Sequence, residues 1–441
     1  MKTLHQSLGI IILLALLFSG CKKDDPNPLV EIPDQAFLSA LIALGIDSNG
    51  DGAICPCEAE KISILDVSGM GISDLTGIEA FVNLTTLNCF GNQLTDLDLS
   101  ANPLLENLRC DLNQLSSLEF INNPVLVHVR CDGNQLSRVD VSKCPQLEEL
   151  DCSNNSITQL DVTENLSLRD LDCSSNELTA LDLTGNVALE NLNCGSNKLS
   201  SLIVSGSPLL RELQCNANNL AALGVSSNPE LTKLDCSDNQ IFTLDVSNNP
   251  LLQNFLCSGN ELTSLNVRSN PALESLACGN NPLPGLDLTN NAALLMLGTA
   301  NAQLTALNLA NNPELTHLNC TGNELNALNL SANTQLQWLY VSDNKLTSLD
   351  LGLQTRLLEL WCGGNQLTDL DLSANILLGS GEWNCVSSDF RVCEESCIEI
   401  ELRNMPNLQV VCIWESPFPP EGICVDTSGS PNASFSSGCS R

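Results

Sequence analysis

Sulfur and carboxylate are the groups with the most chemistry to offer in this sequence, and their spacing decides what each can do. Cysteine recurs every 21 residues at 89, 110, 131, 152, 173, 194, 215, 236, 257 and 278, then at 320 and 362. Thr299 and Val341 fill the two missed steps. So many regularly placed thiols invite a metal or redox reading. The alternation in Leu87-Asn88-Cys89 argues against both, because a strand sends Leu87 and Cys89 to one side and Asn88 to the other. Each ladder cysteine then faces a Leu-lined interior, where a free thiol behaves as a small hydrophobe. Past residue 20 the histidines are His128 and His317. Nine whole periods separate them, about 43 Å at the strand spacing, so they cannot share a metal. There is no nucleophile elbow, phosphate loop or Cys-x-x-Cys pair. The inventory points away from an enzyme.

Oxygen ligands are gathered in Asp47-Ser48-Asn49-Gly50-Asp51-Gly52-Ala53-Ile54-Cys55-Pro56-Cys57-Glu58. This run resembles the calcium loop of EF-hands and dockerin-type modules. The resemblance implies side-chain oxygens from Asp47, Asn49 and Asp51, a backbone carbonyl from Ala53, and a bidentate Glu58. A hard cation takes six or more oxygens, and this spacing wraps them around one point. Cys55 at the ninth position, the stiff Pro56 and the lack of a second hand depart from the pattern. The expectation is a structural calcium ion that rigidifies an N-terminal cap; the alternative is a metal-free turn.

Two further sets lie on the surface. An acidic column runs through Asp98, Asp140, Asp161, Asp182, Asp245, Asp287, Asp350 and Asp371. Like charges at strand spacing need compensation, which a capped turn supplies and a cation track would also supply. The second set is aromatic: every Trp and the single Tyr fall after residue 337. Trp338 and Tyr340 flank the inward Leu339, and Trp361 follows Tyr340 one period later in the same outward column. Exposed, this cluster is what a protein or sugar partner would grip; otherwise the C-terminal loop covers it.

The element that must position all of these is a 21-residue unit repeated without insertion from Leu84 to Leu378. Asparagine follows each ladder position by three residues, from Asn92 to Asn365, with Ala302 the exception. A fixed period of this length means a solenoid. Each rung is too small to bury its apolar side alone, so stacking makes the core continuous. The asparagines belong inside the turn, pairing with backbone that the strand leaves unsatisfied. In Leu84-x-x-Leu87-x-Cys89-x-x-Asn92-x-Leu94 the chain resembles the leucine-rich repeat family in its short bacterial form. That implies an α/β-type repeat solenoid of mostly short parallel strands, right-handed, with a helical N-cap and a disulfide-rich C-cap.

Composition agrees. Hydrophobic residues make up 43 % of 441 but aromatics only 3 %, which suits a narrow coil of Leu, Ile, Val and Cys. The formal charge of -34 repels nucleic acid and anionic lipid headgroups and makes both poor partners. Residues 1–20 read as an export signal, and Leu17-Phe18-Ser19-Gly20-Cys21 resembles a bacterial lipobox, implying lipidation at Cys21. Residues 21–32 are then a tether, 33–62 the helical cap, 63–378 the solenoid and 379–441 the C-terminal cap. Cys385, Cys393, Cys397, Cys412, Cys424 and Cys439 in the tail allow fifteen pairings. The register there is expected to recover about nine residues late, at Glu401 to Cys412, after a loop near 383–397. The whole implies a monomeric lipoprotein on the outer face of the outer membrane, touching the membrane only through its lipid. Its strand face would bind a protein partner at Trp338, Tyr340 and Trp361; glycan capture for nutrient uptake, or a ligand-free envelope spacer, are the alternatives.

Overall fold

The structure, a computed structural model, describes residues 29–380, 398–414, 419 and 424–437. Two short helices open it, α1 (Gln35–Ala43) and α2 (Pro56–Ala59). Asp34 starts α1 by accepting the N–H groups of Ala36 and Phe37 at 2.8 and 3.0 Å. Its second oxygen accepts from Ser73 N and Oγ, both at 2.8 Å, and so ties the cap to the first rung. Burial works against the Asp34 charge, but bonds from Ser73, Phe37 and Ala36 prevail and hold its pKa at about 2.

From Ile64 the chain coils into a 17-stranded sheet whose strands pair in parallel. Leu87 pairs with Leu108, Leu108 with Val129 and Val129 with Leu150, so the pairing register is the sequence period. Leu84, Leu87, Cys89, Leu94 and Leu105 are fully buried, and the same columns stay buried along the rod. All twelve ladder cysteines are buried. Burial pushes the thiols up at Cys89, Cys194 and Cys320, to about 12 at each, so these carry no nucleophilic thiolate at neutral pH.

The asparagine column closes the turn as expected. Asn239 Nδ2 donates to the carbonyls of Cys215, Cys236 and Ser237 at 3.0–3.2 Å, while its Oδ1 accepts from Leu220 N at 2.9 Å. One side chain thus stitches its own turn to the preceding rung. Where Ala302 replaces asparagine, Leu283 N turns to the carbonyls of Asn281 and Ala302 instead. A second asparagine column, at 102, 123, 165, 186, 228, 249 and onward, lies fully buried in the other half of the rung. Asn249 there donates to Val225 O and Asn228 O at 3.0 and 2.8 Å. Ser207 and Gln354 take the same role in their rungs, and Cys144, free and buried, takes the slot in a third.

Two residues past each ladder position the backbone turns left-handed. Gly91, Gly133, Gly259, Gly322 and Gly364 sit there, but so do Leu112, Ser175, Ser196 and Ala217, with φ near 52°. A Cβ in that conformation costs roughly 1–2 kcal/mol. Ala217→Gly should therefore stabilise the protein by about 0.5–1 kcal/mol, after the larger entropy of glycine in the unfolded chain is subtracted. Urea unfolding gives the value, and a loss of stability would show that the turn is not strained.

The repeat does not end at Leu378. Leu360 pairs with Ile400 and Trp361 with Glu401, so the next strand arrives 40 residues on instead of 21. Val411-Cys412, expected to carry the recovered ladder strand, pairs instead with Leu370-Asp371 in a separate three-stranded sheet. The ladder's own strand is Ile398–Glu401, and a further strand, Cys424–Asp426, pairs with it. Cys412 and Cys424 are both disulfide-bonded; Cys385, Cys393, Cys397 and Cys439 lie outside the described residues.

Candidate binding surface

The outward positions flanking each inward strand leucine form two columns along the strand face. The column just before the ladder position carries Asn88, Arg109, Arg130, Asp151, Asp172, Asn193, Gln214, Asp235, Leu256, Ala277 and Gly298, while the buried columns stay almost uniform. Charge is graded along this face. Arg109 pairs with Asp111 at 3.1 Å and Arg130 with Glu149 at 2.6 Å near the N-terminal end. Beyond them carboxylates crowd at Asp132, Asp151, Asp170 and Asp172. Burial, then the charges of Asp151 and Asp111, raise Asp132 to about 6; burial also raises Asp151.

At the other end the aromatic expectation is corrected. Tyr340 is fully buried and Trp361 is 4 % exposed, their rings meeting edge to face at 5.7 Å. Neither presents a surface that a partner could touch. Trp338 remains half-buried and stacks on His317, with centroids 4.0 Å apart. Glu401 is buried nearby, accepting from Ser342 Oγ and Gly363 N, with burial raising its pKa. Trp414 packs against the core, and Trp383 lies outside the described residues.

The acidic column resolves as capped turns. Every member accepts the backbone N–H two residues on: Asp98 from Ser100, Asp161 from Thr163, Asp245 from Ser247 and Asp371 from Ser373, all at 2.9–3.0 Å. Hydrogen bonds from Thr289, followed by Arg268, hold Asp287 down at about 2. These carboxylates are compensated by their own backbone, and no cation is needed to explain their spacing.

In the N-terminal loop Asp47 accepts from Gly50 N and Gly52 N, Asn49 from Asp51 N, and Asp51 from Ala53 N. The oxygens of these residues and the Ala53 carbonyl suit a hard cation chemically. Glu58 departs from the expectation. It is buried, and its two oxygens accept from Ser48 N, Ser48 Oγ, Asn49 N and Cys55 N at 2.8–3.3 Å. No group of three or more His, Cys, Asp or Glu gathers as a metal cage among the described residues. Cys55 and Cys57, separated only by Pro56, form a disulfide beside this loop that their spacing alone does not announce. Cys21 lies outside the described residues.

With that geometry in place the known proteins can be set beside it. The functional domain of InlJ from Listeria monocytogenes, described as including a cysteine ladder, is 30 % identical over 87 % of this chain and 83 % of its own, with a TM-score of 0.75. The chain belongs to the leucine-rich repeat family. A family model for the leucine-rich repeat domain of the endo-beta-N-acetylglucosaminidase EndoS matches residues 61–176 of this repeat protein. YopM, the leucine-rich effector of Yersinia pestis, shares the fold at 21 % identity, covering 88 % of this chain and 92 % of its own, with a TM-score of 0.53. The ectodomain of an Arabidopsis thaliana receptor kinase, bound to Casparian strip integrity factor 2, shares it at 17 % identity, 84 % and 55 % coverage, and a TM-score of 0.52. No curated protein sequence matches.

Proposed function

We propose that this leucine-rich repeat protein is a non-enzymatic binding module that recognises a protein partner on its strand face. It would be held at the outer membrane, facing outward, by a lipid on Cys21, with a weak structural calcium site at Asp47, Asn49, Asp51, Ala53 and Glu58. One observation carries the reading. The buried columns repeat from rung to rung, while the outward columns change in charge, size and polarity at almost every step. A spacer needs only the first; a face that varies over a constant frame is what specific recognition requires. The burial of Tyr340 and Trp361 moves the expected contact away from the C-terminal aromatics, leaving Trp338 on His317 as the half-exposed platform there.

The test uses the chain from residue 22 onward, panned against a displayed peptide library and, in parallel, a glycan array. Peptide ligands should be recovered and should lose at least tenfold in affinity with Glu212→Arg plus Asn254→Arg, both on strand-face positions. Gln159→Arg, in the opposite half of the rung, should leave binding unchanged. Recovery of glycans alone would favour the nutrient-capture reading, and no strand-face dependence would leave the spacer. In cells, Cys21→Ala should release the protein from the membrane fraction; continued retention would remove the lipid anchor.

A further inference from the structure

The N-terminal quarter of the strand face holds a feature that the general reading does not assign. Arg109 and Arg130 are direct neighbours across adjacent strands, on a chain of net charge -34. Together with His128 and Ile64 they line an open cleft of about 380 Å³. Each is held in place by a group that uses only part of it. Asp111 takes Nε and Nη2 of Arg109, whose guanidinium also lies 5.1 Å from the Phe90 ring centre. Glu149 takes Nε and Nη2 of Arg130, and Asn107 Oδ1 lies 2.8 Å from His128 Nδ1. Among the described residues Nη1 of both arginines and Nε2 of His128 have no partner.

We propose that this cleft receives a carboxylate side chain from the protein partner, next to an apolar residue that packs on Ile64. The inference rests on the strand face being the recognition surface. Each guanidinium keeps an open Nη1, and the two together can donate to the two oxygens of one carboxylate. Ile64, 66 % exposed, supplies an apolar wall beside them. The size of the anion is limited by nearby carboxylates: Asp66 lines the cleft, Asp111 and Glu149 pair with its two arginines, and the wider surface repels further negative charge. At physiological salt the screening length is about 8 Å, so the arginines govern the cleft while a long polyanion meets the acidic surround. A single carboxylate fits; heparin or an oligo-glutamate does not.

The probes are Ac-Leu-Glu-Leu-NH2 and its glutamine counterpart, titrated by ligand-observed NMR against the chain from residue 22. The glutamate peptide should bind at least tenfold more tightly, and its affinity should fall as salt is raised from about 50 to 500 mM. Arg109→Lys with Arg130→Lys keeps both charges but removes the forks, and should weaken binding at least fivefold while the melting curve stays unchanged. Equal binding of the two peptides overturns the proposal, as does full affinity in the lysine variant. Galacturonate or heparin binding as well as the glutamate peptide does the same, since either shows a general anion site. If the peptide fails but Glu212→Arg with Asn254→Arg still abolishes partner capture, the strand face stands and only this cleft falls. If both fail, the face itself is not the recognition surface.

Discussion

Asn260→Asp should destabilise the solenoid by about 4 kcal/mol or more, against about 2 kcal/mol for Asn260→Ala. Asn260 is 7 % exposed, and its Nδ2 faces the carbonyls of Cys236, Cys257 and Ser258 at 2.9, 3.1 and 3.4 Å. Its Oδ1 accepts from Ile241 N at 3.0 Å. Removal to alanine is softened by redundancy: Asn239 also donates to Cys236 O, and Asn281 also donates to Cys257 O. Only Ile241 N and Ser258 O lose a side-chain partner, and Ala302 shows that a rung tolerates this. Aspartate, by contrast, aims a charged oxygen at three carbonyls and has no N–H to offer. Those carbonyls raise its pKa in the folded state above the unfolded value near 3.9. The excess penalty over alanine is therefore absent below about pH 4 and grows as pH rises through the folded pKa. Urea unfolding of both variants at pH 4 and pH 7 measures it. Equal stability of the two at pH 7 would mean that the amide's donors do not hold the turn.

That ladder was legible because one rung leaves its residues little choice. Leu87 and Cys89 must share a side, Asn92 must close the turn, and the same constraint recurs until the period itself becomes the signal. The second asparagine column was equally legible, because Leu94-x-x-Leu97-Asp98-Leu99-x-x-Asn102 repeats the pattern of the first half-rung. The left-handed position gives no such signal. It is filled by Gly, Leu, Ser, Ala, Asn and Asp alike, so composition gives no hint that one backbone conformation recurs there.

The candidate site was less legible, and the failures share a cause. Outwardness follows from the strand alternation, and Tyr340 does occupy an outward column; exposure depends on what else packs there, which no period records. Val411-Cys412 looked like a ladder strand because its local pattern is that of one, yet a long interruption precedes it and pairing places it in the other half-rung. The arginine cleft had a visible signal in Arg109 and Arg130, one period apart. Its meaning needed the positions of Asp111 and Glu149, which show the two charges anchored but not used up.

Glu58→Ala should cost the N-terminal cap about 3 kcal/mol, and nearly as much in EGTA as in 1 mM calcium. The buried carboxylate satisfies three backbone N–H groups and the Ser48 hydroxyl, and hydrogen bonds to a charged group contribute about 1.5–3 kcal/mol before partial solvation of the exposed loop is allowed for. A bidentate calcium contact would have to draw Glu58 away from those donors. That competition keeps the ion near the weak limit of extracellular sites, about 10⁻³ M, where 1 mM calcium adds only about 0.4 kcal/mol. Asp47→Ala should abolish this small calcium-dependent gain and, by freeing Gly50 N and Gly52 N at the exposed loop, cost less than Glu58→Ala in EGTA. Hydrogen exchange over α1 and α2 reads the cap directly, apart from the solenoid. A Glu58→Ala loss that appears only when calcium is present would reverse the order of importance, making the ion the fastener and the amide bonds secondary.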